Sequence, residues 1–341
     1  MLTSLLRPTI PPAMNRRAFV AGLGAVLAGP LGVGAQQRAK IYRVGVLSPF
    51  PSSFGPGPSF EAFRRTLREL GYVEGRDVAL DYRWADGRSD RLAELAAELV
   101  RLQPDVILSA WGTPSALAIK KVTSTIPIVF AGVGNAVGNG LIDSLARPGG
   151  NLTGSTFITE ETTGKQLELL KAVIPKIARV GMVVNPSNPV YGPVLRASEA
   201  PARALGLQLS VVNVQGADDF ESALRVAVQE RVAGLVVARD TVLTINKSRL
   251  LTLVASSRLP AIYGLREFVD DGGLMSYGPD LVEMYKWAAY LTDKILRGAK
   301  PANLPVEQIT KFDFVINVKT AKALGLTIPP SLLLRADQVI E

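Results

Sequence analysis

The residues best suited to hold a small molecule stand directly after short apolar runs, where predicted strands end. Hydroxyls and backbone N–H groups at a helix start can hold an anion, glycine lets the backbone approach a ligand, and an aromatic ring can stack on a ligand ring. A carboxylate such as Asp240 can accept an ammonium group. The predicted ligand-binding residues are Ser48, Trp111, Gly112, Thr113, Gly132, Asn135, Asn185, Tyr191, Asp240, Tyr263 and Ser276.

Each of these residues also has a purely structural interpretation. Ser48 and Thr113 suit a turn or a helix cap, and glycines serve in ordinary turns. Asp240 and its neighbour Arg239 can simply pair with nearby residues. The argument for binding is therefore their shared position at strand ends, where ligands of open α/β sheets lie.

The sequence excludes several kinds of chemistry. It contains no cysteine and no histidine, so Cys or His zinc sites, thiol nucleophiles and His-based triads are ruled out. A phosphate-binding Gly-x-x-x-x-Gly-Lys-Ser/Thr loop is also missing. We therefore predict no catalytic residue, no metal and no cofactor.

The net charge is +8, but the basic residues are spread along the chain. No run of Lys or Arg is interleaved with aromatic residues, as a nucleic-acid surface requires. The doublets Arg64-Arg65 and Lys120-Lys121 are typical of solvated helix faces. We predict no nucleic-acid partner.

Residues 1–35 have the three parts of an export signal. Arg16-Arg17 precedes an apolar, glycine-rich stretch, and small residues lead up to Ala35. The arginine pair followed by Phe19 resembles a twin-arginine signal, with the general secretory route as the other option. The apolar run is shorter than the roughly 20 residues needed to span a bilayer. The prediction is an exported protein without stable membrane insertion, translated from Met1 or Met14.

After the signal, short apolar strands alternate with amphipathic helices, first over residues 42–133 and again over residues 165–263. This alternation predicts parallel sheets covered on both faces by helices. The fold class is therefore α/β, with two Rossmann-like lobes joined by hinge crossings. Two such sheet edges facing each other form a clamshell that closes on a ligand.

The lobe boundaries follow from the glycine- and proline-rich segments at 147–154 and 272–279. We predict one lobe from residues 41–154 plus 274–303, and the other from residues 155–273 plus 304–341.

Four segments resemble one known family. They are residues 41–47, which follow an Ala-Gln-Gln junction, residues 140–154, with the block Ser-Leu-Ala-Arg-Pro-Gly-Gly-Asn-Leu-Thr-Gly, residues 274–280, and residues 314–330. All are similar to the ABC transporter substrate-binding proteins that include tryptophan-binding members and have the type I periplasmic-binding-protein fold. The resemblance implies a periplasmic receptor that passes an amino acid or related small carboxylate, with aromatic ligands among the options, to ABC permease subunits. Many relatives have Asp-Pro where this chain has Asn135-Ala136. A carboxylate that could bind the amino group of a ligand is therefore missing at this position.

Two other functions remain open from the sequence. A clamshell of this kind also serves as the extracytoplasmic sensing module of signalling systems, and a neighbouring kinase gene instead of permease and ATPase genes would indicate that function. An exported hydrolase or isomerase using Asp240 and Glu267 is the third option, although no activated pair is evident.

Overall fold

The computed structural model describes residues 40–54, 57–188 and 190–341. The predicted export signal lies outside these residues. Within them the strands are β1 (Tyr42–Ser48), β2 (Val78–Trp84), β3 (Val106–Ser109), β4 (Ile128–Gly134), β5 (Leu152–Phe157), β6 (Arg179–Val184), β7 (Gln208–Asn213), β8 (Leu235–Val237), β9 (Ala261–Tyr263), β10 (Met275–Pro279), β11 (Glu307–Gln308), β12 (Phe312–Asn317) and β13 (Gln338–Ile340).

The α-helices alternate with these strands over most of the chain. They are α1 (Gly57–Glu69), α2 (Leu92–Arg101), α3 (Thr113–Val122), α4 (Thr159–Val173), α5 (Tyr191–Ala204), α6 (Phe220–Gln229), α7 (Thr241–Ile245), α8 (Lys247–Ser256), α9 (Glu267–Asp270), α10 (Leu281–Leu296), α11 (Val318–Ala323) and α12 (Pro330–Leu333).

The strands form two sheets of similar construction. The first has the order β11-β5-β4-β3-β1-β2, and its strands pair in parallel. The second has the order β13-β12-β10-β9-β8-β6-β7, with one antiparallel pair, β10 and β12. From β2 to β5 and from β7 to β10 the strands follow the same doubly wound order, which confirms the predicted α/β class with parallel sheets.

Local sequence explains these elements. Every residue of β3 and β4 is buried, as a strand covered on both faces requires. In α1 the buried Phe60, Phe63 and Leu67 recur at helical spacing and face the core. The chain leaves this helix through Gly71, whose φ of +99° suits glycine.

The chain passes between the sheets three times. After β5 it enters α4, which packs on the second sheet; after β10 it enters α10, which packs on α1 and the first sheet; and after β11 it enters β12. The strand β10 thus pairs in the second sheet and β11 in the first, opposite to the lobes predicted for residues 274–279 and 307–308. The sequence of such a short strand does not indicate which sheet it joins, because strand pairing depends on residues that are distant in the chain. The division of the chain into lobes stays a prediction.

In the part of the chain that the structure describes, no helix combines the length and the apolar character needed to cross a bilayer.

Candidate functional site

The carboxyl-terminal edges of the two sheets border a cavity, here called the cleft. Its free space is about 880 Å³, including the part open to solvent. We call the residues at or just after the carboxyl ends of β1, β3, β4 and β5 the first wall; they are Phe50, Trp111, Gly112, Thr113, Pro114, Gly132, Gly134 and Phe157. The second wall comprises residues that follow β6, β8 and β9, among them Asn188, Tyr191, Ala238, Arg239, Asp240, Thr241 and Gly264.

Arg239 is the dominant charged group of the cleft. Its Nη2 donates a hydrogen bond to the Gly132 carbonyl of the first wall at 3.2 Å, and its Cζ lies 4.8 Å from the centroid of the Phe157 ring. Its Nε and Nη1 are inaccessible to solvent and have no hydrogen-bond partner. Burial lowers the pKa of Arg239 from its usual value. Leaving a buried charged donor unpaired costs free energy, so these two N–H groups need an acceptor.

Two glycines make room for this guanidinium. Gly132 has a φ of +74°, and a Cβ there would lie 3.4 Å from Nη2 of Arg239. A Cβ on Gly264 would lie 2.7 Å from Cγ of Arg239. The 2.7 Å distance at Gly264 is too short for any contact, so the absence of a side chain there leaves space for Arg239 to extend toward the opposite wall. The 3.4 Å distance at Gly132 is an ordinary contact, and the positive φ is what favours glycine at that position.

Asp240 is held by its own wall. Its carboxylate accepts hydrogen bonds from Asn185 Nδ2 at 3.2 Å, Asn188 Nδ2 at 3.0 Å and the Val242 N–H at 2.8 Å. The last bond caps the N-terminus of α7. Among the described residues no cation forms a salt bridge with Asp240, so a negative charge remains at the edge of the cleft.

Tyr191 completes the second wall. It is 5% exposed, and its hydroxyl donates to the carbonyl of Arg239. Burial first, and the nearby Asp240 second, raise the pKa of Tyr191 far above its usual value. The phenol is therefore neutral at physiological pH and fixes the backbone that carries Arg239.

Trp111 gives the first wall a strained corner. Its φ is +61° and the φ of Gly112 is +88°, a left-handed conformation that a bulky residue adopts only when its surroundings impose it. The Trp111 N–H donates to the hydroxyl of Tyr285 at 3.0 Å. Its ring lies 4.7 Å from that of Phe50 in an edge-on arrangement. Such outliers cluster at ligand sites, and here the strain places an indole on the cleft.

The structure brings six of the predicted residues together on the cleft. They are Trp111, Gly112, Thr113, Gly132, Tyr191 and Asp240. Their contact with a ligand stays a prediction.

The other five predicted residues do not line the cleft. Ser48 accepts the Phe50 N–H at 3.2 Å in a tight turn. Asn135 binds Glu160 Oε1 and the Gly138 N–H, and Asn185 orients Asp240. Tyr263 in β9 and Ser276 in β10 face away from the cleft, because side chains alternate between the two faces of a strand. Tyr263 stacks on Phe268 with the ring centroids 4.8 Å apart, and Ser276 is 1% exposed.

Sequence reasoning left out several cleft residues. Arg239 is the most important, although a charged pair directly after a buried strand was a usable signal. Phe157 and the start of α4, with Thr159, Thr162 and Gln166, also line the cleft. They follow residues 147–154, which the sequence analysis assigned to the boundary between the lobes. The sequence does not indicate which side chains after such a boundary face a cleft.

Two further observations concern chemistry. Within the described ranges, no group of three or more acidic residues is placed to hold a metal ion. Asp240 and Glu267, the carboxylates of the enzyme alternative, line different cavities.

Two similar α/β sheets with a cleft at their carboxyl edges form the type I periplasmic-binding-protein fold. The model of the ABC transporter substrate binding protein family matches residues 58–340, and the chain belongs to that family. This is the family that the sequence resemblance indicated.

Comparison with individual proteins gives the same result. The chain is 25% identical to a tyrosine-binding protein of Clostridioides difficile over 266 residues, which is 78% of this chain and 76% of the relative. It is 27% identical to a conserved domain protein of Vibrio cholerae, with a TM-score of 0.80 over 88% of this chain and 100% of the other. An ABC domain from Streptococcus pneumonia in complex with L-Trp gives 27% identity and a TM-score of 0.79 over the same shares.

Proposed function

We propose that this chain is the extracytoplasmic receptor of an ABC importer, and that it captures a small carboxylate of the amino-acid type in the cleft. The observation that carries the proposal is Arg239, whose buried Nε–H and Nη1–H have no acceptor. A ligand carboxylate supplies that acceptor with a charge-assisted hydrogen bond, the strongest kind available to a side chain.

The rest of the cleft suits an amino acid with an apolar or aromatic side chain. Phe50, Trp111 and Phe157 offer ring surfaces on the first wall, and Asp240 offers a negative charge for an ammonium group. The tyrosine-binding relative and the solved complex with L-Trp support an aromatic ligand. The glycine-rich first wall and the hydroxyls of Thr113 and Thr159 add hydrogen-bonding capacity around it.

Binding would hold the two walls together. A carboxylate on Arg239 contacts the second wall while the ligand's apolar part contacts the first, so the closed form gains free energy that an open form lacks. The crossings after β5, β10 and β11 are the proposed hinges. Closure would let the permease subunits distinguish the loaded receptor, and the export signal predicted at residues 1–35 would place it outside the cytoplasm.

Isothermal titration calorimetry against a panel of amino acids, with solution scattering on the same samples, tests this function. We expect at least one aromatic or branched amino acid to bind and to reduce the radius of gyration. The amine formed by removing its carboxylate should bind at least tenfold more weakly, because the interaction with Arg239 is lost. Equal binding of the amino acid and its decarboxylated amine, or a shape unchanged by a bound ligand, would contradict the proposal.

A further inference from the structure

A second cavity adjoins the cleft. Its free space is about 800 Å³, including the part open to solvent. Phe50, Trp111 and Thr244 border both spaces, so the Phe50–Trp111 pair stands between them. The ends of β1 and β2, the start of α1 and the residues Phe54, Ala110, Lys247 and Glu267 form the remaining boundary of the second cavity.

Aromatic rings form much of this second cavity. Phe54 stacks on Phe50 with the ring centroids 4.9 Å apart, and Trp84 stacks on Tyr82 at 5.4 Å. Of the three tryptophans in the chain, Trp84 and Trp111 both line this space. Aromatic faces carry negative potential, and several faces around one space are the arrangement that recognises organic cations.

A carboxylate oxygen without a partner lies in the same boundary. Oε2 of Glu267 is inaccessible to solvent and makes no hydrogen bond. Lys247 also lines the second cavity, but its Nζ pairs with Asp271 at 2.6 Å and with the Glu267 carbonyl at 3.2 Å. No cation forms a salt bridge with the Glu267 carboxylate among the described residues. A buried carboxylate oxygen in this state needs a donor.

We propose that the second cavity receives a positively charged organic group of the ligand, an ammonium or alkylammonium, between the Glu267 carboxylate and the faces of Phe54, Trp84 and Trp111. The inference rests on the proposed function, since the same molecule would place its carboxylate on Arg239. The ligand then carries a side-chain cation in addition to the α-ammonium group that Asp240 would accept, and this second cation lies beyond the Phe50–Trp111 pair. Glu267 acts as the residue that selects this end of the ligand.

The test compares two probes that differ only in charge. Calorimetry on the purified full chain measures the affinities of 2-phenylethylammonium and of its neutral counterpart 2-phenylethanol. We expect the amine to bind at least tenfold more tightly, because it gains both the ion pair and the ring contacts. Equal affinities, or no binding of either probe, would overturn the inference.

Matched variants assign the preference to the cavity. Glu267→Gln should remove the preference for the amine, whereas Asp270→Asn, the same charge change three residues away on an exposed side chain that does not line the second cavity, should keep it. Phe54 is 42% exposed, so Phe54→Leu should fold normally and weaken amine binding by roughly threefold through loss of one ring face. Retention of the full preference in Glu267→Gln would contradict the inference even if the protein is folded.

A third probe separates this inference from the proposed function. The carboxylate 3-phenylpropionate should bind the wild type and Glu267→Gln equally, and should lose affinity in Arg239→Met. If 3-phenylpropionate behaves in this way while the amine shows no preference, the cation site is absent and the carboxylate receptor stands. If the amine preference depends on Glu267 but 3-phenylpropionate does not bind, the proposed function fails instead.

Discussion

The two walls of the cleft present different chemical groups. The first wall offers glycines, hydroxyls and rings, and none of its described residues on the cleft is charged. The second wall carries Arg239 and Asp240 side by side. In the proposed function the second wall would therefore select a ligand by its charge, whereas the first would select it by shape through closely approaching backbone and aromatic faces.

The largest effect on this comparison should come from Arg239→Met, which removes the positive charge of the second wall. We expect a carboxylate ligand to lose roughly 100-fold in affinity, since a charged hydrogen bond contributes about 2–3 kcal/mol. Folding should not suffer, because an apolar side chain of similar length avoids the cost of burying an unpaired cation. Calorimetry and thermal unfolding measure the two quantities.

Arg249→Met is the control for that variant. Its side chain is 42% exposed and lies in weak surface ion pairs, so the same substitution there should leave affinity unchanged. A wild-type affinity in Arg239→Met would show that the second wall does not select the ligand by its charge.

Next in size is Trp111→Leu, which removes a ring from the first wall. We expect about a tenfold loss for a ligand with an aromatic ring, since a ring pair contributes about 0.5–1.5 kcal/mol beyond its buried area. A ligand without a ring should lose less. Trp287→Leu, at a tryptophan on α10 that does not line the cleft, is the comparison for both affinities. The same loss for both ligands would mean that Trp111 shapes the backbone and does not contact the ring.

A smaller effect is expected from Gly132→Ala, which places a methyl group against Arg239. The positive φ should cost about 1 kcal/mol of unfolding free energy. The added carbon, 3.4 Å from Nη2 of Arg239, restricts the guanidinium and should weaken carboxylate binding a few-fold. Gly140→Ala is the matched control, because Gly140 has a φ of +66° but no heavy atom within 4 Å of the added carbon. Both variants should lose the same stability in denaturant titrations, and only Gly132→Ala should lose affinity. Equal affinities in the two variants would show that Gly132 does not affect carboxylate binding by Arg239.

The smallest effect is expected from an ion pair between two of the segments that connect the sheets. Lys311 Nζ lies 2.8 Å from Asp280 Oδ2, and these residues follow β11 and β10. Burial raises the pKa of Asp280, but the hydrogen bond from Lys311 and the Glu283 N–H outweigh burial and hold this pKa below its usual value of about 3.9. The pair therefore stabilises the fold above about pH 4, and this contribution is lost as the pH falls through the lowered pKa of the folded state.

Lys311→Met should reduce the unfolding free energy at pH 7 by about 0.5 kcal/mol, and the difference from wild type should vanish below the pKa of Asp280. Lys286→Met, which breaks an exposed pair with Glu283 on α10, should have less effect on the acid limb of the pH profile. Denaturant titrations between pH 2.5 and 7 measure both. A difference that persists at the lowest pH would show that Lys311 does not act through Asp280.

The fold was more predictable from the sequence than the site was. Runs such as those in β3 and β4 are apolar at nearly every residue, so the sequence alone indicates strands covered on both faces. A site depends on which way each side chain points after its strand ends. Tyr263 was expected to face a ligand, but it is stacked in the core on Phe268 because strand residues alternate between the faces of a sheet.

The orientation of Arg239 was also beyond reach of the sequence. It depends on Gly264 and Gly132, which are distant in sequence and lie against Cγ and Nη2 of the Arg239 side chain, respectively. Trp111 shows the opposite case, because a tryptophan before Gly-Thr-Pro at a strand end was sufficient to predict a ring on the cleft.

A crystal structure of the protein with a bound carboxylate would show whether Arg239 holds the ligand. We expect a ligand between the two walls, with a carboxylate oxygen within hydrogen-bond distance of Nε or Nη1 of Arg239. A ligand bound elsewhere, or one that leaves both nitrogens without an acceptor, would contradict it.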